Sequence, residues 1–276
     1  MRFLPSVHPA DCSAAPTAVL RDRLLLSGLF AAGEISLAYW EVDRTVVGAV
    51  VPLAQPLDLP AHPELRVPFF CARRELGVIN LGGAGAIDVG GETFALAPHD
   101  GLYVGRGQQK VVFRSEDPER PARFYLLSYP AHREYPTRHI AFADTAGDKL
   151  GTAAAANRRI LRKYIAPGLV DSCQLVMGLT MMESGGVWNT MPSHTHRRRS
   201  EVYCYAGLPS DQVVFHFMGE PDATRHLVMR DLEVVLSPSW SIHSGVGTAP
   251  YAFVWGMGGE NQEFADMDAV AMSQLR

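Results

Sequence analysis

Apolar residues along this 276-residue chain fall into short runs rather than the three-to-four-residue recurrence of an amphipathic helix. Val46 to Val51, Gly77 to Leu81, Ala86 to Val89, Leu102 to Val104 and Val111 to Phe113 make a first series. Leu175 to Met181, Val202 to Tyr205, Val213 to Met218, Leu227 to Met229, Val234 to Leu236 and Tyr251 to Met257 make a second. Gly, Pro and Asp bound most of these runs, which predicts strands joined by turns. Gly90-Gly91, between Ile87-Asp88-Val89 and Thr93-Phe94, reads as a tight hairpin turn, and Pro98-His99-Asp100 begins another. So many short strands at this spacing predict an all-β fold of barrel or sandwich type.

The segment from His132 to Asp171 breaks the pattern. It holds Pro136, the stretch Asp144 to Asp148, the run Ala153 to Ala156 and the polar cluster Asn157 to Tyr164. It reads as a connector with a short helix over 152–158. The two β-rich halves on either side predict two stacked β-barrels of jelly-roll type, 1–150 and 151–276. Residues 1 to about 30 are expected to form an arm or helix of the first half.

Composition narrows the function. Apolar residues make up 47% and charged residues 20%, an ordinary globular mix. A net charge of -4 and a single short basic run, Arg197-Arg198-Arg199, argue against a nucleic-acid partner. Cys12, Cys71, Cys173 and Cys204 are scattered without a CxxC pair, so neither a disulfide framework nor a zinc finger is expected. Pro5, Pro9 and Asp11 stand where a secretion signal needs an apolar core. Leu24 to Trp40, interrupted by Glu34 and two glycines, falls short of the ~20 apolar residues of a membrane span. A cytoplasmic protein without a membrane partner is the expectation.

One segment carries chemistry. His194-Thr195-His196 is followed after four residues by Glu201, which opens the run Val202-Tyr203-Cys204-Tyr205. In a strand, residues i and i+2 share a face, so the two imidazoles project together, and a tight turn brings the carboxylate into the next strand. Such a donor set suits Zn, Fe, Mn, Ni or Co. A fourth ligand is expected from a later strand, and His243, five residues after Pro238 and just before Gly245, is the candidate. The other histidines, among them His216 and His226, stand alone.

These residues resemble, with variations, the two cupin motifs. Gly186 and Gly207 bracket the first, and Pro238 and His243 keep their places in the second, where Trp240 replaces a glycine. The likeness goes further: the whole chain resembles the 5-dehydro-4-deoxy-D-glucuronate isomerase family. Arg73 to Asn80, Asn189 to Pro192, Ser237 to Thr248, Trp255 to Gln262 and Asp266-Met267-Asp268 carry it. The resemblance implies a hexameric, zinc-bearing bicupin of pectin breakdown, with His194, His196, Glu201 and His243 as ligands; the first half, with no His-x-His between Phe69 and Tyr125, reads as a cupin-like barrel without metal. The resemblance also implies ketol isomerisation of a six-carbon uronate to 3-deoxy-D-glycero-2,5-hexodiulosonate.

Ketol isomerisation requires a polarised carbonyl and a group that moves a proton between adjacent carbons. Glu201 is poorly placed as that group if it holds the metal. Tyr203 and Tyr205 share its strand parity and are the catalytic candidates. The anionic substrate calls for an arginine, and Arg198 and Arg225 are the candidates, with Arg197 and Arg199 nearby. 5-Deoxyglucuronate isomerase, a metal-dependent cupin oxygenase and a non-catalytic sugar-acid binder stay open as alternatives.

Overall fold

A computed structural model describes residues Met1–Arg276. The chain forms two compact units that interleave along the sequence. One comprises Met1–Leu4, Gly28–Ala146 and Tyr164–Met177; the other comprises Pro5–Ser27, Gly147–Lys163 and Gly178–Arg276. A single cut near residue 150 therefore does not describe the division.

The first unit pairs a seven-stranded with a four-stranded sheet. Alternation explains its core. Leu76 and Val78, Leu102 and Val104, and Phe124 and Leu126 send one face of the larger sheet inward, where they meet Ile87, Val89 and Phe113 of the smaller. The hairpin from Gly85–Val89 to Glu92–Leu96 turns at Gly90 and Gly91, whose φ angles of 59° and 94° only glycine takes freely. Buried Glu75 is spent on structure: it accepts hydrogen bonds from the backbone N–H groups of Cys173, Gln174 and Leu175 at 2.6–2.9 Å and from the Tyr103 hydroxyl at 2.8 Å.

The second unit also holds a four-stranded sheet, and most of a seven-stranded one. Strand Arg199–Ala206 lies at its centre, antiparallel to Ala252–Gly259 on one side and to Val234–Ser237 on the other. The register sets Glu201 opposite Met257, Tyr203 opposite Trp255 and Tyr205 opposite Phe253. Directly opposed residues share a face, so these six side chains face the same side of the sheet.

Two expectations from the sequence fail here. The first is the short helix over 152–158. Ala153 to Ala156 form turns between the paired strands Gly147–Leu150 and Arg159–Ile165. Four alanines are too few to offset helix nucleation, and the Asn157 side chain, accepting from Thr152 N at 2.8 Å, closes a loop instead. The second concerns the N-terminal arm. Its helices Pro9–Ala14 and Thr17–Leu24 belong to the second unit. Leu20 and Leu24, four apart on one helix face, are buried, and the following Leu25–Leu26 pairs with Val235 and Val234 at the edge of that unit's sheet. No helix is long and apolar enough to cross a membrane.

Candidate metal centre

Four donors converge in the second unit. One atom from each of His194, His196, Glu201 and His243 lies within 4.8 Å of the others. Nε2 of His194 is 3.1 Å from that of His196 and 3.0 Å from that of His243. The Glu201 carboxylate is 3.0 Å from His196 Nε2 and 2.9 Å from His243 Nε2. The four side chains come from three stretches of backbone, His194 and His196 sharing one. His194 sits on the two-residue strand His194–Thr195, which pairs with Asp268–Ala269, and Glu201 lies in the central strand. His243 immediately precedes strand Ser244–Gly247.

The protonation pattern tests whether a cation fits. His196 Nδ1 lies 2.8 Å from the Asp266 carbonyl oxygen and donates to it, which assigns the proton to Nδ1 and leaves the Nε2 lone pair facing the cluster. That lone pair meets a carboxylate oxygen at 3.0 Å. Acceptor against acceptor at that distance requires an extra proton or a cation between them, and the set of three imidazoles and one carboxylate is one that divalent ions take. Burial, then the neighbouring His243, pushes His194 down to about 3, so this imidazole is neutral, as a ligand must be. Glu201 shifts the other way. Burial alone would raise it, but His243 and His196 outweigh burial and hold it below its ordinary range.

The cluster opens on a cavity of about 270 Å³, near the lower end of small-molecule pockets. Its walls are mostly apolar, with Leu161, Met191, Phe253, Trp255, Met257 and Phe264 around the polar cluster. Tyr203 lines it too, and its hydroxyl is 3.0 Å from Thr190 Oγ1. Thr190 has φ of 49°, a costly value for a β-branched residue, and holds its hydroxyl on the cavity wall at that cost. Burial, reinforced by the Glu201 charge, raises the Tyr203 phenol well above its ordinary pKa.

Other candidates go elsewhere. Tyr205 is buried behind the cavity, its hydroxyl 2.8 Å from His216 Nδ1. Arg198 donates through Nε to both carboxylate oxygens of Asp266 at 2.8 Å and through Nη2 to Asp268 at 2.9 Å. Arg199 is buried and donates to the carbonyls of Glu263 and Asp266. Arg225 donates to the carbonyls of Cys12, Ser13 and Ala15, capping the C-terminal end of the first helix, whose last carbonyls have no partner within the helix. None of the three lines the cavity. Sequence reasoning missed Arg159 and Thr190, which do line it. The alternation of Arg159 and Leu161 within a strand was the available signal.

Two sheets packed as a β unit, with three imidazoles and a carboxylate converging on an apolar cavity, define a cupin-type protein with a centre suited to a divalent cation. Solved structures share the fold. An IolB-like protein from Salmonella typhimurium aligns with a TM-score of 0.74 over 90% of this chain and 96% of that one at 14% identity. Oxalate decarboxylase from Bacillus subtilis aligns with a TM-score of 0.57 over 79% and 70% at 10% identity. The profile of the KduI/IolB family matches residues 27–273, and the chain belongs to that family. Curated relatives named 4-deoxy-L-threo-5-hexosulose-uronate ketol-isomerase include one from Lachnoclostridium phytofermentans, 48% identical over 100% of both chains. Another, from Burkholderia cenocepacia, is 49% identical over 98% of both.

Proposed function

We propose that this chain is a metal-dependent ketol isomerase. It interconverts 4-deoxy-L-threo-5-hexosulose uronate, also called 5-dehydro-4-deoxy-D-glucuronate, and 3-deoxy-D-glycero-2,5-hexodiulosonate in pectin breakdown in the cytoplasm. His194, His196, Glu201 and His243 hold one zinc ion per subunit, and the first unit is a cupin-like barrel without metal. The observation that carries the reading is the convergence of four donors on a small apolar cavity, in a chain that aligns end to end with ketol-isomerases.

A divalent cation held by His194, His196, Glu201 and His243 would supply Lewis acidity, which favours the negative charge that ketol isomerisation places on a substrate oxygen. The chain's own groups supply a proton donor and a dry cavity. Glu201 is committed to the cluster by its contacts with two imidazoles, so it is not a free base. Tyr203 keeps its proton at neutral pH and is the acid of the site, donating to a substrate oxygen from a hydroxyl steadied by Thr190. The apolar walls keep bulk water away from the carbon that exchanges its proton.

The test is turnover of the uronate by purified protein, with metal analysis, before and after chelation. Activity is expected to vanish with the metal and return on adding zinc. Absence of turnover by metal-replete protein overturns the reading. A homohexamer is part of the proposal, and light scattering should give a mass near six copies of the 30.2 kDa chain.

A further inference from the structure

A uronate carries a negative charge into a cavity whose walls are mostly apolar, so one cation must meet it there. Among the residues lining the cavity beside His194, His196, Glu201 and Tyr203, Arg159 alone bears a permanent positive charge. Arg198 is neutralised by two carboxylates and Arg225 is taken up by three carbonyls.

Arg159 opens strand Arg159–Ile165, and alternation puts Arg159 and Leu161 on one face, where both line the cavity. Its Nη1 donates to the Asn157 carbonyl at 2.9 Å, which anchors one corner of the guanidinium and leaves Nε and Nη2 without a protein acceptor. Those two nitrogens form the edge that grips a carboxylate with two parallel hydrogen bonds. Asn157 is itself held, accepting from Thr152 N. The side chain is half-buried, and burial lowers its pKa while the Tyr203 and Tyr251 phenols oppose the shift. Lys163, further along the same strand, does not line the cavity; its ammonium lies on the Phe264 ring, 4.5 Å from the centre, and 3.8 Å from an Asp148 oxygen.

We infer that Arg159 binds the substrate's carboxylate and so sets which end of the acid reaches His194, His196, Glu201 and His243. This rests on the isomerase reading. A partly desolvated guanidinium among apolar side chains attracts a carboxylate more strongly than one in open water, and its fork fixes the angle at which the carbon chain leaves. Tyr203, on the same cavity, then meets an oxygen further along that chain.

The test compares wild type, Arg159→Met and Arg159→Lys on two substrates, the uronate and its neutral counterpart with a hydroxymethyl group in place of the carboxylate. Arg159→Met is expected to lower kcat/KM for the uronate about 10- to 100-fold, mainly through KM, and to leave the neutral compound almost unaffected. Arg159→Lys keeps the charge without the fork and should fall between. Metal content and melting temperature should match wild type. If Arg159→Met retains the wild-type preference for the charged substrate, the inference is overturned. If Arg159→Met does not fold, the same ratio measured on Arg159→Lys decides. Wild type that fails to turn over the uronate overturns the isomerase reading and this anchor with it; wild-type turnover with an unchanged preference in the variants overturns the anchor alone.

Discussion

His196 Nδ1 donates to the carbonyl oxygen of Asp266, seventy positions further along the chain, across 2.8 Å. That carbonyl also accepts from buried Arg199, and the Asp266 side chain holds Arg198. The strand His194–Thr195 is only two residues long, and its partner is Asp268–Ala269. The C-terminal segment is thus the outer support that orients the imidazole of His196.

Cutting that support should therefore weaken metal binding. Arg198→Ala or Asp266→Ala keeps the carbonyl that orients His196 but removes the side-chain contacts that brace its segment, and is expected to lower metal affinity by about 10-fold, the lower end of the effect of losing an orienting partner. KM for the uronate at saturating metal should change little, because Arg198 does not line the cavity. Metal titration with a competing chelator measures the first effect and steady-state kinetics the second.

The ligand assignment separates two histidines of the same unit. His243→Ala should abolish most activity and release the metal while the fold persists, since many apolar strands hold the unit together. A loss of several kcal/mol of transition-state stabilisation corresponds to about a thousandfold or more in rate. His226 is exposed on strand Arg225–Met229, beside the Phe215 ring, and His226→Ala should keep both metal and activity. Metal content and turnover of both variants beside wild type decide the matter.

Tyr203 and Tyr205 lie two residues apart but differ in surroundings. Tyr203→Phe removes the hydroxyl on the cavity wall and should cut kcat by about 10²–10⁴-fold with metal retained. Tyr205→Phe removes a buried hydrogen bond to His216 and should cost about 1–3 kcal/mol of stability with a smaller effect on kcat. Denaturation curves and kinetics on the two variants distinguish these outcomes.

Acid should destabilise the chelated protein through Glu201. Burial raises the pKa of this carboxyl, and the neighbouring His243 and His196 reverse the shift, so the folded pKa lies below the unfolded one. A depressed carboxyl pKa contributes stability that is present above the unfolded value, about 4.3, and is lost as pH falls through the folded value. Melting temperatures of chelated wild type should fall more steeply below about pH 4.5 than those of Glu201→Gln. Parallel curves for the two proteins would remove Glu201 from the account.

Much of this is legible in the sequence. The short apolar runs Val202 to Tyr205 and Tyr251 to Met257, bounded by turn residues, predict the strands of the sheet that carries the centre, because such runs depend only on neighbours in sequence. The spacing of His194, His196 and Glu201 predicted their convergence for the same reason, and Pro238 placed His243. Arg159 escapes notice because His132 to Asp171 reads as a connector, whereas an Asn157 loop and pairing with Gly147–Leu150 make its second part a strand that puts the arginine on the cavity wall.

The sequence alone determined the all-β character and the identity of the four donors, since short apolar runs, the His194–His196–Glu201 spacing and Pro238 ahead of His243 are local patterns; the fold brings His243 across to the other three. Tertiary structure decided which arginines are free. Arg198, Arg225 and Arg159 are alike as residues, and only long-range partners separate them. Asp266 and Asp268 neutralise the first, the end of a helix more than two hundred positions away takes up the second, and the third is left with two unpaired nitrogens beside the donors. An arginine's role depends on which acceptors reach its guanidinium, and the fold brings those acceptors from parts of the chain that no local pattern connects.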